Sequence, residues 1–215
     1  MCEHNCGIDH STEAVPEFSL YSNISLDKSD CFNQSATNPL KNCIKPYNER
    51  HNDKYLESDA DKELLIKIIF NDPVDINGIK ILSKDEHCPR KLMFYVKNTD
   101  LNFDDVDDVD GGGIASDYDI ILENSVSDFA DIDFADIVYP LPTHKFSNIK
   151  SIMIFIKYNL AEDDDILTRI HYLDFNGMIN KSNIDNGIVN CVYESSPQIS
   201  DHKQISDLMT ANHIN

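Results

Sequence analysis

Apolar residues along this chain recur mostly in short runs, several of them alternating with polar ones. LLIKIIF spans Leu64 to Phe70, VDINGIKIL spans Val74 to Leu82, and KLMFYV spans Lys91 to Val96. YDIIL follows at Tyr118 to Leu122, then IVYPL at Ile137 to Leu141 and SIMIFIKY at Ser151 to Tyr158. ILTRIHYLDF at Ile166 to Phe175 and GIVNCVYE at Gly187 to Glu194 complete the set. Their Ile, Val, Tyr and Phe content and period of two predict β-strands. Breakers fall between or within them: NDP at Asn71 to Pro73, DGGG at Asp110 to Gly113, and NG at Asn77-Gly78, Asn176-Gly177 and Asn186-Gly187. Asn77-Gly78 lies inside an apolar run, so it is expected to mark a bulge, whereas the others punctuate. Helical signal is confined to one short stretch opening at Ser25 as N-cap and to mixed periodicity over Asp128 to Ile137. About eight short strands with few helices predict an all-β fold, an antiparallel β-sandwich of jelly-roll type.

The ends differ. Residues 1–18 mix Cys, His, Glu, Ser and Pro without periodicity, and the residues after Ser196 are equally irregular, so flexible N- and C-terminal arms are expected. The expected organisation is an N-terminal tail over 1–18, one domain over 19–203 and a C-terminal arm over 204–215.

Charge narrows the partners. The 215 residues hold 18 Lys and Arg against 38 Asp and Glu, a formal charge of −20. Between Lys97 and Lys145 there is no Lys or Arg, while 13 acids run from Asp100 to Asp136. Such a surface repels phosphate backbones and anionic headgroups, which argues against nucleic-acid and membrane-surface roles. Neither a secretory leader nor an apolar run of spanning length is present, which implies a soluble protein of the cytoplasm, with the nucleus also open to it. In that reducing setting the dispersed cysteines are expected to be thiols.

Catalytic templates fail: G-x-S-x-G, G-x-x-x-x-G-K-[ST], G-x-G-x-x-G and H-E-x-x-H are all missing. A non-enzyme without cofactors is therefore expected. Two clusters invite a metal reading. The carboxylates around Asp108, Asp110 and Gly111 have the oxygen chemistry for calcium, but an EF-hand register would put Val106 at the first position. Cys2, His4, Cys6 and His10 supply zinc-type ligands, at a spacing tighter than usual pairs. An accidental set in a terminal tail is the plainer reading of that tetrad. His171 alternates within a strand and is expected to be a surface or core residue.

The segment YLESDADKELLIKIIF, Tyr55 to Phe70, carries the most information. From its residues alone it is an acidic loop entering a buried strand, with Asp59 or Asp61 expected to bond backbone N–H groups of a turn. It also resembles the signature of the PITH domain family, with Glu57, Ser58, Asp59, Asp61 and Glu63 on the signature positions. LYSNISLDKSDCFNQS at Leu20 to Ser35 resembles the family's opening motif, Cys31, Asn33 and Ser35 falling on C-x-N-x-S. CPRKLMFYVKN, NFDD, HKFSNIKSIMIFIKYN, TRIHYLDFNG and YESSPQISDHK are similar to later blocks in the same order. The resemblance covers about Leu20 to Lys203.

That resemblance implies a galactose-binding-like jelly roll and docking on the 26S proteasome regulatory particle, as a monomeric adaptor or regulator. It implies no catalytic residues, and because no C-x-x-C precedes the domain, no redox activity carries over. A lectin-like or small-ligand-binding module is the alternative, since jelly rolls bind ligands at loop-lined ends. His213, near the end of the C-terminal arm, is a candidate partner-binding residue because neutral imidazole is a good ligand.

Overall fold

The computed structural model describes residues 18–106, 113–122, 137–161 and 165–180. The Cys2, His4, Cys6, His10 tetrad, the Asp108–Gly111 cluster, the Asp128–Asp136 stretch, the strand expected at Gly187 to Glu194 and His213 lie outside them, as do residues 1–17 of the N-terminal tail and all of the C-terminal arm. Among the described residues the chain is mostly antiparallel β-sheet with few helices.

Its backbone is one long strand. β1 (Asp30–Phe32) and β2 (Leu56–Glu57) precede β3 (Leu64–Leu82), which runs for 19 residues. β4 (Lys91–Tyr95), a single helical turn α1 (Phe103–Val106), β5 (Tyr118–Ile121), β6 (Val138–Pro140), β7 (Ile149–Ile156), β8 (Arg169–Ile170) and β9 (Tyr172–Ile179) follow. The first half of β3 sits between β1 and β7, and the layer continues through β4 to β5. Its second half pairs β9 and β6, while β2 and β8 form a separate ribbon. All these pairings are antiparallel, and β3 carries one seven-stranded sheet from a first layer, with β1, β7, β4 and β5, into a second, with β9 and β6, whose side chains meet in one core.

Side-chain alternation fills the interior. Leu64, Ile66 and Ile68 of β3, with Ile152, Ile154 and Ile156 of β7, point into one core that also takes Ile79, Leu173 and Phe175 from the second layer. Phe70 meets Phe175 edge to face at 5.7 Å between ring centroids, and Phe94 meets Phe146 at the same distance. The opposite face of the first layer is covered too. Leu65, Met153, Phe155 and Tyr95 pack there under Leu101 and Val106, which come from the segment carrying α1. The central strands are thus buried on both faces, which is why β7 shows a nearly unbroken apolar run.

Three sequence expectations are corrected. Asn71 to Pro73 do not divide two strands: β3 passes through them with a register shift between Ile69 and Val74. The Asn23 carboxamide, 49 residues away, makes this possible by bonding both the Asp72 N–H (3.2 Å) and its carbonyl (3.1 Å). Asn176-Gly177 is no turn either, lying inside β9 where Gly177 allows β3 to approach closely. The helix expected from Ser25 is only a turn, closed by the Ser29 N–H to the Ser25 carbonyl at 3.0 Å, before β1 begins. The bulge expected at Asn77-Gly78 is present as a register shift between Ile76 and Gly78.

Candidate functional site

The signature residues knit loops together at one end of the first layer. Asn33, just after β1, holds a left-handed backbone with φ 61°. Its amide donates to Asp61 Oδ1 at 2.8 Å and to the Glu63 carbonyl at 2.7 Å, and its Oδ1 accepts the Ala60 N–H at 3.0 Å. Asp61 Oδ1 also accepts the Glu63 N–H at 2.9 Å, the Asx-turn expected of one of these carboxylates. Asp59 takes part through its N–H, bonded to the Asn33 carbonyl at 2.9 Å. Ser35 donates its N–H to the Glu57 carbonyl at 2.8 Å. The Glu57 carboxylate receives Arg169 Nε at 2.7 Å and Asn38 Nδ2 at 3.0 Å. Ser58, wholly buried, exchanges two bonds of 3.0 Å with the Thr168 backbone, one of them through its hydroxyl. Cys31 is buried beneath.

The result of this bracing is the placement of Lys62, flanked by Asp61 and Glu63. Its carbonyl accepts the Thr168 hydroxyl at 2.5 Å, and its side chain is buried with Nζ 5.6 Å from the centroid of the Tyr158 ring. Beside it opens a cavity of about 410 Å³ lined by Lys62, Arg90, Lys91, Ile121 and Tyr158. Strand register explains the convergence. Leu64 pairs with Ile156, Met93 with Phe155 and Lys91 with Ile121, so the start of β3, the end of β7, the start of β4 and the end of β5 lie together. Backbone bonds fix the rim: the Arg90 N–H donates to the Tyr158 carbonyl at 2.9 Å, and the Leu122 N–H to the Arg90 carbonyl at 2.8 Å. Lys91 pairs with Asp119 at 2.6 Å, and Lys157 Nζ stands 5.7 Å from the Tyr158 ring centroid. Ile121 is 64% exposed and Tyr158 42%.

The cleft gathers three basic side chains, an aromatic face and an aliphatic side chain, with Lys91 already paired to Asp119. No thiol, imidazole or carboxylate is among the described residues that line it. Elsewhere, burial keeps the described thiols protonated. Cys43 is pushed up to about 12 and Cys88 to about 11, both chiefly by burial, and burial raises Cys31 as well. A protonated thiol is neither nucleophile nor metal ligand. His171 is 9% exposed, with Nδ1 unpaired; burial, with Lys84, Lys45 and Arg169 nearby, drops it to about 4. It is a core residue, one of the two roles expected for it. No group of three His, Cys, Asp or Glu suited to a metal occurs among the described residues.

Sequence reasoning missed Lys62, Arg90, Lys91 and Tyr158 as a site. The only local signal is that each basic residue abuts a strand terminus, and strand order is needed to bring those termini together.

The family model for the PITH domain matches residues 10–197. PITH domain-containing protein CG6153 of Drosophila melanogaster is 30% identical over 206 residues, covering 94% of this chain and 90% of that protein. PITH domain-containing protein ZK353.9 of Caenorhabditis elegans is 30% identical over 213 residues, with 94% of each chain covered. Among solved structures, CBM32-3 from a family 31 glycoside hydrolase of Clostridium perfringens is similar at a TM-score of 0.48 and 15% identity, over 78% of this chain and 99% of that one.

Proposed function

The chain belongs to the PITH domain family, and from that premise we propose that it is a non-enzymatic adaptor or regulator docking on the 26S proteasome regulatory particle. The match over residues 10–197 carries this reading, because the family resemblance is the feature that points to the proteasome. The relatives bear the name of a domain and not of an enzyme. Physical features of the chain agree with docking. A braced sandwich holds a cationic and aromatic cleft at one end, and rigid scaffolds presenting fixed side chains suit recognition without ordering costs. The buried, protonated thiols are unsuited to nucleophilic attack. The protein works as a monomer in the cytoplasm, and in the nucleus where proteasomes are present there. No helix among the described residues is long and apolar enough to cross a membrane.

The test is affinity purification of the tagged full chain from cytosol, followed by mass spectrometry. Regulatory-particle subunits should be recovered in near-stoichiometric amounts, and their absence would refute the assignment. A chain truncated after Lys203 addresses His213: its binding should fall, and undiminished binding removes that residue from the interface. The lectin-like alternative is less favoured, because the family resemblance points to the proteasome and not to a sugar. Glycan-array binding without proteasome subunits in the purification would reverse that preference.

A further inference from the structure

The face of the first layer turned away from the main core is closed by residues that belong to neither layer. Leu101, Phe103 and Val106 lie over Leu65, Met153 and Phe155, with Phe103 and Phe155 edge to face at 6.0 Å between ring centroids. The chain leaves β4 and returns to β5 at one point, Asp117. Its Oδ2 accepts the N–H groups of Val96 and Lys97 at 2.9 and 3.2 Å, its Oδ1 pairs with Lys97 Nζ at 3.0 Å, and its own N–H is held by the Phe94 carbonyl at 2.8 Å. The covering segment also folds on itself. The Asn102 side-chain oxygen accepts the Asp105 N–H at 3.1 Å while the Asp105 carboxylate accepts the Asn102 N–H at 3.0 Å, a reciprocal cap on the turn α1. The Asp105 carbonyl takes the Ile114 N–H at 2.7 Å.

Its attachment to the sheet is slight by comparison. Among the described residues no backbone hydrogen bond joins 98–106 to a strand; the polar links are the Thr99 hydroxyl with that of Ser151 at 2.8 Å and the Lys67–Asp100 ion pair, in which the Asp100 side chain is 86% exposed. An ion pair so open to water holds weakly. Packing beneath the segment is incomplete as well: a cavity of about 260 Å³ lies between Phe32, Lys67 and Met153 of the sheet and Thr99 to Asn102 over them. We propose that Asn98 to Val106 form a strap that lifts as one piece about Asp117, uncovering Leu65, Met153 and Phe155 while both layers stay folded. Every pairing of β3 and β7 survives the lifting, because none of them runs through the strap. The apolar contacts of Leu101, Phe103 and Val106 keep the closed form dominant. The strap is a built-in cover for a second apolar face, whichever assembly the chain docks on, so it goes beyond the proteasome assignment.

Met153 reports the lifting, because it is wholly buried under the strap while Met178 on β9 is 64% exposed. The full chain is treated with hydrogen peroxide and each methionine followed by peptide mass spectrometry. Met178 should oxidise first and Met153 slowly, at a rate that urea well below the unfolding midpoint hardly changes. Thr99→Cys/Ser151→Cys should form a disulfide, since the two hydroxyl oxygens it replaces stand 2.8 Å apart. That bridge should slow Met153 by about tenfold or more relative to Thr99→Ala/Ser151→Ala and leave Met178 unchanged. Lys67→Gln should speed Met153 about twofold, and Leu101→Ala about tenfold or more. Hydrogen exchange of the parent reads the same step without a variant: Asn102 to Val106 should exchange through an opening that the β7 amides do not share. Equal Met153 rates with and without the bridge, or strap amides that exchange only together with those of β7, would overturn the proposal.

Discussion

Asn33 combines a strained backbone with four hydrogen bonds, and the two contributions separate by mutation. At φ 61° an L residue with a Cβ loses about 1–2 kcal/mol relative to glycine, while each carboxamide bond is worth about 1 kcal/mol. Asn33→Ala forfeits the bonds to Asp61, Glu63 and Ala60 and keeps the strain, so it should destabilise by about 3 kcal/mol. Asn33→Gly forfeits the same bonds without the strain and should be milder by about 1 kcal/mol. Urea unfolding distinguishes them, and equal losses would show that the left-handed conformation is not costly. His171 makes a second case. Its native value near 4 lies below the ordinary 6.5, so the folded chain resists protonation that the unfolded chain accepts. The stability it contributes is complete above pH 6.5 and is lost as pH falls toward about 4, up to about 3 kcal/mol. Asp174 acts in the opposite sense: burial raises it, so its contribution is present at low pH and lost as pH rises through its folded value. His171→Gln should therefore flatten the decline between pH 6.5 and 4, as read from unfolding midpoints. A slope identical to the parent's would exclude His171 as its source.

Elements in this chain depend on close approach as much as on strand propensity. A Cβ on Gly177 would come 2.1 Å from the Asp75 carbonyl oxygen and 3.0 Å from Leu20 Cδ1, so β9 could not keep its distance from β3. Gly177→Ala should lose about 2–3 kcal/mol, whereas Met178→Ala, one residue on and 64% exposed, should be nearly neutral. Thermal melts of the two variants check this, and matching melts would count against the packing argument. Apolar patterning alone locates Leu64 to Phe70, Val74 to Leu82, Lys91 to Tyr95 and Tyr118 to Ile121, where burial partly alternates, and the heart of β7, where burial on both faces leaves an unbroken apolar run. It does not reveal that Asn71 to Pro73 belong to the strand, since the partner that satisfies Asp72 is Asn23, contributed from a distant loop. Nor does it reveal that the Ile166 to Phe175 segment breaks at His171 into β8 and β9. The cleft is illegible for the same reason: its lining comes from four segments whose adjacency exists only once the order β3-β7-β4-β5 is known.

At the scale of the whole sandwich, β3 decides how the described domain comes apart. Its first half is a central strand of one layer and its second half a central strand of the other, and both bury side chains in one shared core. Neither layer can then unfold while leaving the other with intact edges and a dry interior, so opening should be cooperative. Ile79→Val tests this from the second layer, where Ile79 pairs with Phe175 and Tyr139 and is wholly buried. Removing one methylene there should cost about 1 kcal/mol. If β3 couples the layers, the most protected amides of β7 should lose the same exchange free energy as those of β9, although β7 does not pair with Ile79. Hydrogen exchange by mass spectrometry measures both strands in one experiment. Loss of protection confined to β9 and β6 would mean that the layers open separately, and that the register shift at Asn71 to Pro73 acts as a seam between them instead of a bend within one strand.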